Sequence, residues 1–241
     1  PYAAVARAAG KPYRISEINS VRCFGEPGVS DAFEASLWLT DVLFEYVKLG
    51  AAGVNIHSNI WNKVHGWDAH GAFLFDIPQR QYRSANSHVQ PPAGYKFTNQ
   101  YQLRKVLPLY YGMLFFAEAT ANRARLIPVE HNSPARLKIW ATKDQVSGQV
   151  NVTIINKDTA VSGKILLRLP GYSAGEVKRL VAPSYKASDG ITIAGQTFDG
   201  SIDGHPIGNA YAETVQGNGG VFEISVGATS AVLVKLTKRV P

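Results

Sequence analysis

The sequence predicts an α/β segment followed by an all-β segment. Residues 1–131 alternate helical and strand patterns, the rhythm of parallel-strand architecture. From about Arg136 the pattern changes to short strands at close spacing, broken by turns such as Asn156-Lys157-Asp158 and Pro170-Gly171, which describes an antiparallel sandwich over residues 132–241. With 45% hydrophobic and 18% charged residues, the composition is that of a globular chain able to bury one large core or two smaller ones.

The elements follow in order. Pro1 to Gly10 reads as the last turns of a helix stopped by glycine, so further chain is expected upstream. Residues 12–18 are a short strand, and Gly25, Pro27 and Gly28 break the loop after it. Ser30 and Asp31 offer N-caps for the next helix, with Glu34 placed three after Asp31 as in a capping box. Its apolar stripe is Ala35, Leu39, Val42, Tyr46 and Leu49, and Gly50 stops it. Ala52–His57 is the next strand, its small and branched residues suited to burial on both faces. About fifty residues without a clear period come next, rich in glycine, histidine and aromatics, before a helix near Leu107–Asn122 with Pro108 in its first turn. Two parallel strands are too few for a stable sheet, which again points to strands on a missing upstream segment. In the second half the expected strands are 137–142, 149–156, 164–169, 177–181, 191–193, 220–226 and 231–237.

Several function classes drop out. Twenty-five basic against eighteen acidic side chains give +7, but no Lys/Arg run reads as a nucleic-acid arm. The diffuse excess suits an anionic partner such as a uronate-containing polysaccharide, and equally plain solubility. No apolar run approaches the ~20 residues of a membrane span. The lone Cys23 excludes an intrachain disulfide and a cysteine-based zinc cluster, and no histidine stands at a motif distance to activate it.

Glu17 stands out by position. It closes a strand and is followed by Asn19, Ser20 and a loop. In (β/α)8 enzymes the reacting groups sit at this end of the strands, because the loops there build the site. Sugar hydrolysis needs one carboxylate to attack the anomeric carbon and another to protonate the leaving oxygen. The rival reading is a carboxylate paired with Arg14 or Arg22. Asn19 could bond a sugar hydroxyl or cap a turn. His57 could touch substrate, orient Glu17 or serve the fold alone. Trp61 and Trp67 offer stacking faces for a pyranose ring, or loop packing. His65, Asp68 and His70 are metal-ligand types, but their spacing fits no metal motif.

The run from Glu17 to Phe33, with Glu17, Ser20, Gly25, Pro27, Ser30, Asp31 and Phe33, resembles without gaps the nucleophile segment of glycoside hydrolase family 79, the heparanase and β-glucuronidase family. Pro108, Tyr110, Tyr111, Leu114 and Phe116 resemble that family's last barrel helix, and the strands ending Ala231–Leu236 resemble its sandwich. The resemblance implies the C-terminal part of a (β/α)8 TIM barrel in residues 1–131, holding strands seven and eight with their helices, followed by the β-sandwich. It makes Glu17 the nucleophile of a retaining glycosidase for β-glucuronide-type glycans. His57 then ends strand eight. The acid/base glutamate would end strand four on the upstream remainder of the enzyme, on this polypeptide or a separate chain. No metal or cofactor is implied. A secreted or periplasmic setting is.

Two departures touch specificity. Arg22 stands where relatives have tyrosine, with Cys23 and Phe24 where they have glycines. Gly71-Ala72-Phe73 is the nearest counterpart of a Gly-x-Tyr element that helps hold the uronate, and it lacks the hydroxyl. An Arg22 fork could replace the lost contact bidentately. The alternatives are a glycosidase of the same clan for another sugar or a glycolipid, and a non-enzymatic carbohydrate-binding module.

Overall fold

The computed structural model describes residues 2–22, 25–58, 71–76 and 99–238. The first elements are α1 (Tyr2–Ala8), β1 (Tyr13–Ile18), α2 (Phe33–Lys48) and β2 (Ala51–Ile56). Within the stretch expected to lack regular structure, β3 (Phe73–Asp76) pairs antiparallel with β4 (Gln102–Val106). Then come α3 (Pro108–Ala119), a 3-10 turn at Ala121–Arg123 and β5 (Arg125–Ile127). The remaining strands are β6 (Leu137–Lys143), β7 (Val150–Asn156), β8 (Gly163–Arg168), β9 (Tyr172–Val181), β10 (Thr192–Ile193), β11 (Glu213–Gln216), β12 (Val221–Val226) and β13 (Ser230–Lys238).

Strands β1 and β2 pair in parallel, as the α/β reading requires. The second half forms a seven-stranded sheet in the order β10-β9-β13-β7-β6-β5, with β11 also on β9 and every pairing antiparallel. Its edge strand β5 lies ahead of residue 132, so the sheet begins before the sequence pattern changes.

Both faces of this sheet are covered. On one side, Val150, Val152, Ile154, Val232, Val234 and Leu236 meet Phe222, Ile224 and Val226 of the antiparallel pair β12-β8. On the other, Trp140, Ile155, Ala231 and Leu233 meet Phe33, Leu37 and Phe44 of α2 and Tyr111 and Phe115 of α3. That is why β7 is buried along its whole length rather than alternately. It also explains why α2 buries more than the stripe its periodicity indicates. Ala35 and Leu39 pack beside Leu109 and Ile56, while Phe33, Leu37 and Phe44 face the sheet.

The β layers also complete the helices. An α-helix leaves its first N–H and last C=O groups without internal partners. The expected capping box at Asp31 and Glu34 is not made: Ala32 is the N-cap residue, with no side-chain cap bond. Instead the Phe33 and Glu34 N–H groups donate to the carbonyls of Ala187 (2.8 Å) and Tyr185 (3.0 Å). Asp31 turns the other way and accepts from the Gly28 N–H at 2.6 Å. At the far end of α3, the Ala119 carbonyl accepts from Thr142 Oγ1 (2.5 Å) and Asn151 Nδ2 (3.1 Å). A distant carbonyl can replace a local cap because it satisfies the same orphan donor.

Next to Ala119, Glu118 accepts from the Lys178 ammonium and from Lys235 at 3.0 Å. Burial pushes this carboxyl up, but the two lysines outweigh burial and hold it below its ordinary 4.5. It therefore binds a proton less readily folded than unfolded. Its contribution to stability is complete above pH 4.5 and is lost as the pH falls through the lower folded value. Urea unfolding is expected to show Glu118→Gln less stable than the parent by about 1–2 kcal/mol at pH 7. The gap should close as the pH falls below the carboxyl's ordinary range and the folded carboxylate takes up its proton. An unchanged gap would assign the effect to packing.

Candidate active site

Glu17 reaches its position through a fault in the β1 ladder. Along β2, Val54 and Ile56 lie two apart and so share a face. Their partners on β1 are Ile15 and Ile18, three apart, so β1 carries an extra residue here, which offsets the extra residue of β2 between the pairs Tyr13↔Ala51 and Arg14↔Gly53. Ser16 and Glu17 together oppose the single Asn55, which defines a β-bulge. Strict alternation counted from Ile15 would put Glu17 on the same side as Ile15, whereas the rung Ile18↔Ile56 sets it on the opposite side. With the bulge, Ile15, Ile18, Val54 and Ile56 share the half-buried face, with Ile56 against α2. Arg14, Ser16, Glu17 and Asn55 are exposed.

The rival ion pairs for Glu17 are not formed. Arg14 Nη2 donates to Asn55 Oδ1 at 3.1 Å, and its guanidinium lies across Gly53, where a Cβ would meet it at 2.2 Å. Arg22 is exposed in the loop after β1. Among the described residues, the Glu17 carboxylate has no hydrogen-bond or ion-pair partner.

Beyond the bulge the two strand ends are tied. The His57 N–H donates to the Ile18 carbonyl at 2.9 Å. Asn19 Nδ2 donates to the His57 carbonyl at 2.6 Å, and Asn19 Oδ1 accepts from the Ser20 N–H at 2.7 Å. The side chain expected to meet a sugar hydroxyl or cap a turn thus bonds backbone just past the ends of both strands. The hydroxyls of Ser20 and the buried Ser30 lie 2.9 Å apart, and Ser30 Oγ also accepts from the Glu26 N–H at 3.0 Å.

Two further candidates lie beside the core. Gly71 and Ala72 are buried, and the Ala72 carbonyl accepts from the Leu107 N–H at 2.9 Å. The Phe73 ring packs 4.7 Å from that of Tyr110. Phe73 is half-buried and packs against the core. Trp61, His65, Trp67, Asp68 and His70 lie outside the described residues. Among the described residues no group of histidine, cysteine and carboxylates could hold a metal, and no helix is long and apolar enough to cross a membrane. A hollow of about 360 Å³ lies where the loop after β1 meets the β layers, lined in part by Val21, Glu34, Trp38, Lys157 and Tyr185. Glu17 is not among its lining residues. Sequence reasoning passed over Arg14 and Asn55 as a pair sharing the face of Glu17. Alternation around Val54 and Ile56 was the signal for Asn55.

Residues 137–233 match the family model described as the glycosyl hydrolase family 79 C-terminal β domain. Over these residues the β domain is similar to that of family 79. No curated protein sequence matches the chain. Among solved structures it is similar to a 4-O-α-L-rhamnosyl-β-D-glucuronidase from Fusarium oxysporum 12S, with TM-score 0.73 and 20% identity over 96% of this chain and 45% of that one. It is also similar to an α-L-arabinofuranosidase from Thermotoga maritima, with TM-score 0.58 and 12% identity over 97% and 45% of the two chains. The catalytic domain of a family 30 xylanase C from Talaromyces cellulolyticus gives TM-score 0.54 and 15% identity over 95% and 41%. At such identities the likeness is one of fold, and it extends across the α/β part as well as the β domain. The chain spans less than half the length of each of these structures.

The β domain grips α2 through Asp41. This buried carboxylate accepts from Trp140 Nε1 at 2.8 Å and pairs with Lys157 at 2.5 Å. Alongside, Lys138 pairs with Glu45 at 2.7 Å, and the Phe44 ring stacks on Trp140 at 5.4 Å. The helix that follows the Glu17 loop is therefore held from behind by the β domain, and its first N–H groups are held by the same domain.

Proposed function

We propose that this chain is the C-terminal part of a retaining glycoside hydrolase acting on β-glucuronide-type glycans, with Glu17 as the nucleophile. The observation that carries the reading is the exposed carboxylate at the end of a parallel strand, on the face away from α2 and without a partner among the described residues. The family 79 match of the β domain and the fold shared with a rhamnosyl-glucuronidase support the same reaction class. Glu17 attacks the anomeric carbon and forms a glycosyl-enzyme ester as the aglycone leaves; water then hydrolyses the ester. The leaving oxygen takes its proton from a second carboxylic acid about 5–5.5 Å away, supplied by upstream chain. That acid then acts as base towards the water. Arg22 is the candidate to hold the uronate carboxylate, since a guanidinium fork matches a carboxylate bidentately.

The test is covalent. A 2-deoxy-2-fluoro-glucuronide with a good leaving group should inactivate the full-length enzyme and leave its label on the peptide bearing Glu17. A label on another residue removes Glu17 from the mechanism. Faster inactivation by a neutral fluoro-glycoside would keep the nucleophile and change the sugar.

A further inference from the structure

We infer that Asn19 is a positioning residue for Glu17: its side chain pins the register of the bulged strand and so keeps the carboxylate on the open face. The inference rests on the proposed role of Glu17 but concerns a different residue and a different observation. A bulge is a local choice of where one strand's extra residue goes. If the exit end of β1 slipped by one residue while Ile15 stayed on Val54, the bulge would vanish and Glu17 would fall opposite Ile56, on the other face, because side chains alternate strictly along a strand. Something must hold both sides of the fault.

On the near side, past the irregularity between Tyr13 and Arg14, the pairs Arg14↔Gly53 and Ile15↔Val54 do so, with the Arg14 guanidinium bonded to Asn55. On the far side β1 has only Ile18 left before it ends. There the backbone supplies one bond at the exit, from the His57 N–H to the Ile18 carbonyl. A single rung two residues from a loop is a weak anchor. Asn19 adds the next rung with its side chain. Its amide N–H donates to the His57 carbonyl at 2.6 Å, where a longer strand would have used a backbone N–H. Its amide oxygen accepts from the Ser20 N–H at 2.7 Å and turns the chain out of the sheet. Ser20 in turn meets the buried Ser30 at 2.9 Å, which ties the turn to the residues leading into α2. Donor and acceptor are both required, and at this length only asparagine offers the two together.

The geometry separates this role from a sugar contact. A residue that bonds a substrate hydroxyl lowers affinity when removed. A register pin leaves the binding groups intact and misplaces the attacking oxygen, and a misplacement of about 1 Å costs roughly 10²-fold in rate.

The experiment compares Asn19→Ala and Asn19→Asp with the parent, in the full-length enzyme on an aryl glucuronide. For Asn19→Ala the expected result is a fall in kcat of about 10- to 100-fold, with KM within about twofold. The rate of labelling by the fluoro-glycoside should fall in parallel. Asn19→Asp keeps the acceptor for Ser20 but sets a carboxylate against the His57 carbonyl, so it should be impaired at neutral pH and partly recover as that carboxyl is protonated and donates. Thermal unfolding is run on each variant. A kcat and labelling rate within twofold of the parent overturn the inference, as does a raised KM with unchanged kcat, which would make Asn19 a substrate ligand. A kcat loss that vanishes at lower assay temperature, where the fold is intact, overturns it as well. If the label fails to map to Glu17, the reading of Glu17 falls first and independently.

Discussion

Glu17→Gln in the full-length enzyme is expected to lose turnover by on the order of 10⁴-fold or more while keeping its fold. The substitution removes the charge and the nucleophilic oxygen but preserves shape and length. Glu17 is exposed and unpartnered among the described residues, so the folded state loses no contact on which stability depends. Most surface changes of this kind lie within about 0.5 kcal/mol. Activity and stability therefore separate: kinetics on an aryl glucuronide should collapse while the urea midpoint stays where it was. A structural carboxylate would show the opposite, with a lowered midpoint and a modest change in rate. Rescue decides further. With Glu17→Gly, azide should occupy the vacated space, attack in place of the carboxylate and restore turnover of an activated substrate to a glycosyl azide of inverted anomeric configuration. Near-normal turnover by Glu17→Gln would remove the enzyme reading based on this residue and leave only the architecture.

The regular parts of the fold were legible where local pattern and tertiary need agree. Alternation in Val150–Ile154 and the run Ala231–Leu236 marked β7 and β13, and the two helices were visible through their period and through Pro108. What escaped is non-local. β5 and β11 are edge strands of three and four residues, defined only by the partners they meet on β6 and β9. β3 and β4 are separated by a long insertion and find each other only in space. The start of α2 carries a local capping signature at Asp31 and Glu34, yet carbonyls at Tyr185 and Ala187 took its donors. A single sequence contains no trace of that competition.

The site shows the same division. The exposed strand-end carboxylate was readable at Glu17, because a short strand followed by Asn19, Ser20 and a loop announces a strand terminus. The bulge that turns it outward was not, since a register exists only relative to β2. Plain alternation through Tyr13, Ile15 and Glu17 would have set the carboxylate among apolar neighbours. Ser20, Ser30, Asp31 and Phe33 recur in the resemblance for a reason the structure supplies. Ser20 and Ser30 bond each other, Asp31 closes the turn at Gly28, whose φ is +79°, and Phe33 is buried in the core. They build the loop that joins the Glu17 strand to α2.

Gly112→Ala is expected to destabilise the protein by about 1–3 kcal/mol, although alanine is the better helix former. Two effects oppose each other at this position. Within α3, alanine gains up to about 1 kcal/mol over glycine in intrinsic propensity. Against that, a Cβ on Gly112 would lie 2.4 Å from the Ser36 carbonyl oxygen and 3.0 Å from the Ser36 Cα, both backbone atoms of α2. Backbone inside a helix cannot rotate away as a side-chain tip can, so the two helices must separate. Separation would break what the close approach permits: the Ser36 hydroxyl bond to the Pro108 carbonyl and the Thr40 bond to the Gly112 carbonyl at 3.2 Å. Phe33, Phe44, Tyr111 and Phe115 share one core between the helix pair and the β sheet, so the gap would open there too. The overlap term therefore exceeds the propensity gain, and Gly112→Val should be worse still. Urea unfolding checks the sign. Alanine more stable than glycine here would mean that α2 and α3 are free to move apart, and that the support beneath β1 and β2 is looser than the contacts at Ser36 and Thr40 describe.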